Sequence, residues 1–302
     1  MKPFDKIYVA APEFVNELKA ELKDITAIHD RLIFTTSSPE HVVWAQDVWL
    51  DPHVITITSI SDAVKKLRGL GKYWALFSVA QHRRAKLIQE QLPKLKITER
   101  LSFPAKLDGP MIGSWTLLDA NTLVASPTHL KPVPHGVMEF VENKSVPPTR
   151  AYLKLWEALT LLQRYPQAGE TCLDLGSSPG GWTWVLQSLG ANVISVDKAD
   201  LDPKIASLPR VMHRRESAFG IEPASIGKID WLCCDVICYP ERLYTLVNRW
   251  LDSGLCSNFI CTIKLQGDSD VGVIEKFKNM TGSQVLHLYH NKHELTWIYV
   301  AH

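Results

Sequence analysis

The chain has 302 residues, 46% of them apolar and 22% charged, which is ordinary for a globular protein with room for two cores. It contains no apolar run of roughly twenty residues and no signal-like N-terminal stretch, so membrane and secreted classes are set aside and the cytoplasm is expected. The net charge of +1 hides an asymmetry: residues 1–150 carry 19 basic against 16 acidic side chains, and residues 151–302 carry 14 against 16.

The first half reads as α+β. A strand at Lys6–Ala10 precedes an amphipathic helix, Pro12–Lys23, with Phe14, Val15, Leu18 and Leu22 on one stripe. A second strand is expected near Leu32–Thr35, and an apolar alternation follows at Val54–Ile60. Val79–Gln91 has a helical pattern that exposes Arg83, Arg84 and Lys86, and Trp115–Ser126 reads as a strand pair. Within this half, Ala63–Lys106 holds eleven basic residues against Glu90 and Glu99. Charge concentrated in this way can neutralise phosphates, or it can simply solvate a helix face. Pro132, Pro134, Pro147 and Pro148 mark a boundary, which predicts domains at 1–145 and 146–302.

The second half alternates helix and strand, the signature of an α/β, doubly wound, mostly parallel sheet. Arg150–Gln163 is predicted helical, Thr171–Leu175 a strand, Trp182–Leu189 a helix, and Asn192–Val196 a strand ending at Asp197. Strands are expected at Ile229–Asp235 and Asn258–Lys264, with a helix between them around Leu243–Leu251. Gln284–His290 and Glu294–Ala301 are separated by three residues, so they must form an antiparallel hairpin. All six cysteines lie in this half, mostly in apolar runs and without a C-x-x-C pair, and are read as buried small hydrophobes.

One motif carries chemistry. Cys172-Leu-Asp-Leu-Gly-Ser-Ser-Pro-Gly-Gly-Trp-Thr-Trp runs from a strand through a glycine turn into a helix. Gly176 permits the turn, and Gly180 and Gly181 allow close approach of backbone and ligand. Asp197, at the end of the next strand, can accept hydrogen bonds from a ribose diol. The spacing is neither G-x-G-x-x-G nor a phosphate-binding G-K-[ST] loop. Asp174 would repel a pyrophosphate but suits a ligand with amino and sulfonium cations, which points to S-adenosylmethionine.

Asp-Leu-Gly-Ser-Ser-Pro-Gly-Gly-Trp resembles the cofactor loop of the FtsJ-like ribose 2′-O-methyltransferases. The rest of the chain resembles their bacterial 23S rRNA cytidine branch, which carries an N-terminal region with a THUMP domain. The resemblance implies a Rossmann-like class I methyltransferase sheet with a C-terminal antiparallel hairpin, preceded by an α+β RNA-binding domain. It implies S-adenosylmethionine as methyl donor without a metal, and RNA, specifically 23S rRNA, as partner; no membrane partner is expected, and the chain is taken as a monomer. Cofactor contacts are expected from Ala151, Asp174, Gly176, Ser178, Pro179, Gly180, Gly181, Trp182, Asp197, Ser217 and Asp235. RNA contacts are expected from Arg83, Arg84 and Lys86.

The family's Lys-Asp-Lys-Glu tetrad falls on Lys154, Asp235, Lys264 and Glu294. Asp235 and Lys264 end apolar strands, at the edge where open α/β sheets bind ligands. Lys264 is the candidate base: burial, Lys154 and a sulfonium would favour its neutral form, while Asp235 would oppose that shift. One departure concerns the acid that commonly contacts the adenine amino group, because Ser217 stands at that position with Glu216 beside it. An oxidoreductase would need the other glycine spacing, and a base N-methyltransferase would need an (Asn/Asp)-Pro-Pro-(Tyr/Phe) motif that Asp235-Val-Ile-Cys-Tyr-Pro lacks. A non-catalytic RNA-binding paralogue would have no need of two buried lysines.

Overall fold

The computed structural model describes residues 4–37, 39, 42–94, 100–267 and 270–301. The chain forms two compact units, one from residues 1–101 and 107–139 and the other from 102–106 and 140–302. The division falls a few residues before the expected 145/146 boundary, and the short segment 102–106 joins the second unit. Phe103 stacks on Trp156 with ring centroids 4.8 Å apart, and the Ala105 carbonyl accepts from Gln163 Nε2 and the Tyr165 hydroxyl. Among the described residues, no helix is long and apolar enough to cross a membrane.

The first unit is α+β with two four-stranded sheets. One has the order β2-β3-β1-β4, from β1 (Lys6–Ala10), β2 (Ile25–His29), β3 (Leu32–Thr35) and β4 (Ala45–Trp49), with α1 (Val15–Glu21) after β1. The second runs β5-β8-β7-β6, from β5 (His53–Thr56), β6 (Trp74–Leu76), β7 (Gly113–Leu117) and β8 (Thr122–Ser126). Helices α2 (Ile60–Leu70) and α3 (His82–Gln91) pack Ala63, Val64, Leu67, Ala85 and Ile88 into one core with Trp74 and Trp115.

The alternation expected to reach Ile60 stops at Thr56 because Ser59 starts a helix: its side chain accepts from the Asp62 backbone N–H at 3.1 Å. Strand β4 escapes pattern reading because all five of its residues are buried, which leaves no alternation to detect.

The second unit is a seven-stranded sheet of order β11-β10-β9-β12-β13-β15-β14. Strands β9 (Thr171–Leu175), β10 (Asn192–Asp197), β11 (Val211–Arg215), β12 (Ile229–Cys234) and β13 (Cys256–Lys264) are parallel; β15 (Glu294–Val300) is antiparallel to both β13 and β14 (Ser283–Leu286). The terminal hairpin is therefore present, but its connector runs from 287 to 293 because β14 stops at Leu286.

Helices α4 (Tyr152–Leu162), α5 (Gly181–Ser188), α6 (Pro203–Ala206), α7 (Pro223–Ile226), α8 (Pro240–Ser253) and α9 (Val271–Lys278) complete the unit. Helix α8 shows why these elements form. Pro240 supplies a preset φ at the start, Leu243, Leu246, Val247 and Trp250 fall on one buried stripe, and Gly254 ends the helix at φ 65°. All six cysteines are free thiols, buried except for half-buried Cys238.

Candidate active site

Four charged side chains close into a square at the C-terminal edge of the sheet. Asp235 follows β12, Lys264 ends β13, and Glu294 begins β15 directly opposite Lys264 in the antiparallel register. Lys154 comes from the first turn of α4. Its ammonium donates to Asp235 at 3.0 and 2.8 Å and lies 3.0 Å from Glu294 Oε1. Lys264 donates to Asp235 Oδ1 at 2.6 Å and to Glu294 Oε2. Each lysine thus touches both acids, and two positive charges cancel two negative ones within a nearly dry pocket.

This geometry corrects the expectation of a neutral Lys264. Burial does lower its pKa, but the carboxylates of Asp235 and Glu294 outweigh burial and hold it well above the ordinary lysine value. Asp235 responds in the opposite sense. Burial would raise its pKa, and the ammoniums of Lys154 and Lys264 overcome that and hold the carboxyl below its usual range.

Two members of this network went unnoticed in the sequence. The Thr262 hydroxyl donates to Asp235 Oδ1 at 2.6 Å. Its signal is strand periodicity, since Thr262 lies two residues before Lys264 and on the same face. Glu157, one helical turn after Lys154, is fully buried and accepts from the backbone N–H groups of Tyr289 (2.8 Å) and His290 (2.9 Å), fixing the loop that leads to Glu294. No local pattern marks that role, because it depends on a contact across the fold.

The glycine loop lies beside this square. Gly176 has φ 76° and Gly180 φ 117°, both left-handed positions. A Cβ at Gly176 would lie 2.7 Å from Val236 Cα, and one at Gly180 2.7 Å from Ile205 Cγ2. The space saved by these glycines is therefore filled by the protein itself. Gly181 abuts Thr149, and the Pro179 carbonyl accepts from the Asp202 N–H. Ser178 ties the loop down, donating its N–H to Asp197 Oδ2 (3.1 Å) and its hydroxyl to the Asp200 carbonyl (2.8 Å).

Trp182 is buried, and its indole N–H donates to the Ala151 carbonyl at 2.9 Å. This bond braces α4 against the loop. Asp174 also differs from expectation. It is fully buried, accepts from the Thr183 hydroxyl at 2.6 Å, and burial pushes its pKa up to about 7. A carboxyl held that close to neutrality is a weak partner for cations.

Between the loop and the end of β12 lies a cavity of about 210 Å³ lined by Gly176, Val196, Asp197, Lys198, Ser217, Ala218, Phe219, Val236, Ile237 and Arg242. The cofactor implied by the resemblance can be tested against it. Asp197 offers acceptors, and Val236, Ile237 and Phe219 offer an apolar wall. The residues fit an adenosyl group. Among the described residues no cluster of His, Cys, Asp and Glu is arranged to hold a metal ion.

The expected RNA-contacting residues lie in the first unit. Arg83 and Lys86 are exposed on α3, whereas Arg84 is half-buried with its Nε shielded. Lys86, Lys94 and Arg100 line a hollow of about 910 Å³ with an apolar floor of Leu76, Leu101 and Val133. Lys66 pairs with Asp62, and Arg68 donates to the Gln91 carbonyl, so part of the basic stretch serves local structure. Lys96 and Glu99 lie outside the described residues.

With this geometry in place, comparison with known proteins shows what the second half of the chain is similar to. Residues 148–285 match the model of the FtsJ-like methyltransferases. This half of the chain is similar to an FtsJ-like methyltransferase domain. Among relatives, the Ribosomal RNA large subunit methyltransferase M of Halorhodospira halophila is 35% identical over 157 residues, 49% of this chain and 46% of that protein. The proteins of the same name from Alkalilimnicola ehrlichii and Pasteurella multocida are 32% identical over 179 residues and 33% over 166. These cover 55% and 49% of this chain, and 49% and 46% of theirs. The chain thus spans about half the length of the curated relatives it matches.

Proposed function

We propose that the protein transfers a methyl group from S-adenosylmethionine to a ribose 2′-hydroxyl of RNA, on a cytidine of 23S rRNA, acting as a cytoplasmic monomer. The observation that carries this reading is the closed square of Lys154, Asp235, Lys264 and Glu294 beside a cavity suited to an adenosyl group. The cofactor, when bound, supplies a methyl group on a good leaving group, so the chain's task is to position and deprotonate a weak nucleophile. Asp197 would hold the cofactor's ribose, with Ser217 and the apolar wall at its base.

In the closed square Lys264 carries its proton at Nζ and can donate to a hydroxyl oxygen, which holds the nucleophile in place. It becomes a base only after giving that proton up, and its two carboxylate neighbours resist the loss. Lys154 keeps Asp235 and Glu294 balanced, so that neither carboxylate is left as an unpaired buried charge. The basic face of α3 in the first unit, a THUMP-like region on this reading, would contact RNA phosphates and orient the substrate without reading its sequence.

The deciding experiment maps ribose methylations on ribosomal RNA from cells with and without the gene, then restores the gene with Lys264→Ala. One cytidine that loses its 2′-O-methyl group in the deletion, and stays unmethylated with the variant, supports the proposal. An unchanged map would favour an RNA-binding protein that has kept the fold without the reaction.

A further inference from the structure

The lining of the 210 Å³ cavity carries an unusual charge. Ser217 brings only a hydroxyl, and the neighbouring acid, Glu216, is not among the lining residues because its carboxylate pairs with Arg214. The charged groups on this cavity besides Asp197 are Lys198 and Arg242, both cations. Arg242, in the first turn of α8, lays its guanidinium over the Phe219 ring at 3.8 Å from the centroid. The guanidinium has no ion-pair or hydrogen-bond partner among the described residues. Stacking fixes the plane of a guanidinium and leaves its in-plane N–H groups free to donate. The result is a rigid fork of donors on the wall of a nucleoside-sized cavity, where an acid would have been a set of acceptors.

We infer that Arg242 recognises the base of the cofactor by donating to its N3 or N7, in place of an acid accepting from the exocyclic amine. This rests on the adenosyl reading of the cavity and adds a specificity to it. A carboxylate that accepts from the amine would be repelled by a base carrying a 6-oxo group instead. A site that donates to N3 or N7 through a guanidinium tolerates the 6-oxo base, because both atoms stay acceptors there and only N1 becomes a donor.

The test is calorimetric titration of the full chain with two thioethers, S-adenosylhomocysteine and its 6-oxo counterpart, S-inosylhomocysteine. Wild type, Arg242→Ala and Arg242→Lys are compared, with thermal melts to verify that each variant is folded. The expected result is that wild type binds both thioethers with affinities within roughly tenfold of each other. Arg242→Ala should weaken both by roughly tenfold or more, the loss expected for hydrogen bonds from a charged donor. Arg242→Lys, which keeps the charge without the fork, should recover only part of that.

Wild type that rejects the 6-oxo thioether by on the order of a hundredfold or more would mean that the amine is read by an acceptor elsewhere. That outcome overturns the proposal, as does an Arg242→Ala variant that binds both ligands like wild type. In either case the adenosyl reading survives, since S-adenosylhomocysteine still binds. Failure of wild type to bind either thioether overturns both.

Discussion

Lys264 stands between two carboxylates, and each of them makes its proton harder to remove. If the ammonium must be lost before the hydroxyl is activated, single-turnover methyl transfer should climb with pH and reach no plateau below about pH 10. Glu294→Gln removes one of the two carboxylates, so the same rise should move to lower pH while the maximal rate falls. A flat profile in both proteins would remove Lys264 as the base.

Asp174 makes a second prediction at this scale. Its pKa of about 7 in the fold lies above the ordinary carboxylate value, so the neutral acid is what the fold favours. That contribution is complete at pH below about 4 and is lost as pH rises through about 7. Asp174→Asn should therefore gain thermal stability relative to wild type between pH 5.5 and 8.5, with an upper limit of about 2 kcal/mol. Melting curves that shift in parallel at the two pH values would rule out an ionising Asp174. All four members of the charged square could be named from the sequence through the family resemblance; taken singly, each reads as an ordinary strand-end or helix charge. Their charge states were not legible there, because the sign of the Lys264 shift depends on distances to Asp235 and Glu294 that only the fold sets.

At the scale of single elements, most strands of the seven-stranded sheet could be read closely, although β11 (Val211–Arg215) was missed and β14 stops at Leu286. Thr171–Leu175 and Asn192–Asp197 are short apolar runs bounded by glycine or an acid, and nothing competes with that signal. The first unit was harder to read. Ile25–His29 and Ala45–Trp49 were missed, and α2 was hidden behind a strand-like alternation that only the Ser59 cap interrupts.

Helix α3 carries the prediction for RNA. Because Arg84 is partly shielded, Arg83 and Lys86 should account for most of the attraction to phosphates. Replacing all three with Ala should weaken RNA binding more at low salt than at high salt. The slope of log affinity against log salt should flatten by roughly 0.7–0.9 for each phosphate no longer neutralised, and cofactor binding should not change. A filter-binding series across salt concentrations measures this directly. An unaltered slope would mean that these charges only face solvent.

For the molecule as a whole, the path of the chain through its two units matters most. The chain leaves the first unit after Leu101, contributes Ser102–Lys106 to the second, returns at Leu107, and crosses for good after Glu139. Within the second unit Phe103 stacks on Trp156, and Phe140 meets the same ring edge-on at 5.5 Å. Phe103→Ala should lower the melting temperature of the second unit by an amount equivalent to about 1–3 kcal/mol, because a half-buried aromatic ring loses its stacking partner. Hydrogen exchange should report the change in α4 and leave α2 and α3 unaffected; protection unchanged in α4 would show the stacking to be idle.

The same path sets an order of events during synthesis. Phe103 leaves the ribosome before residues 107–139, which complete the first unit, and long before Trp156. The nascent first unit must therefore close its second sheet around an excluded loop, whose aromatic side chain stays without its partner until α4 has been made. The segment that finishes the second unit is thus translated inside its neighbour, and neither half can be released as an intact folded piece by cutting the chain at one place.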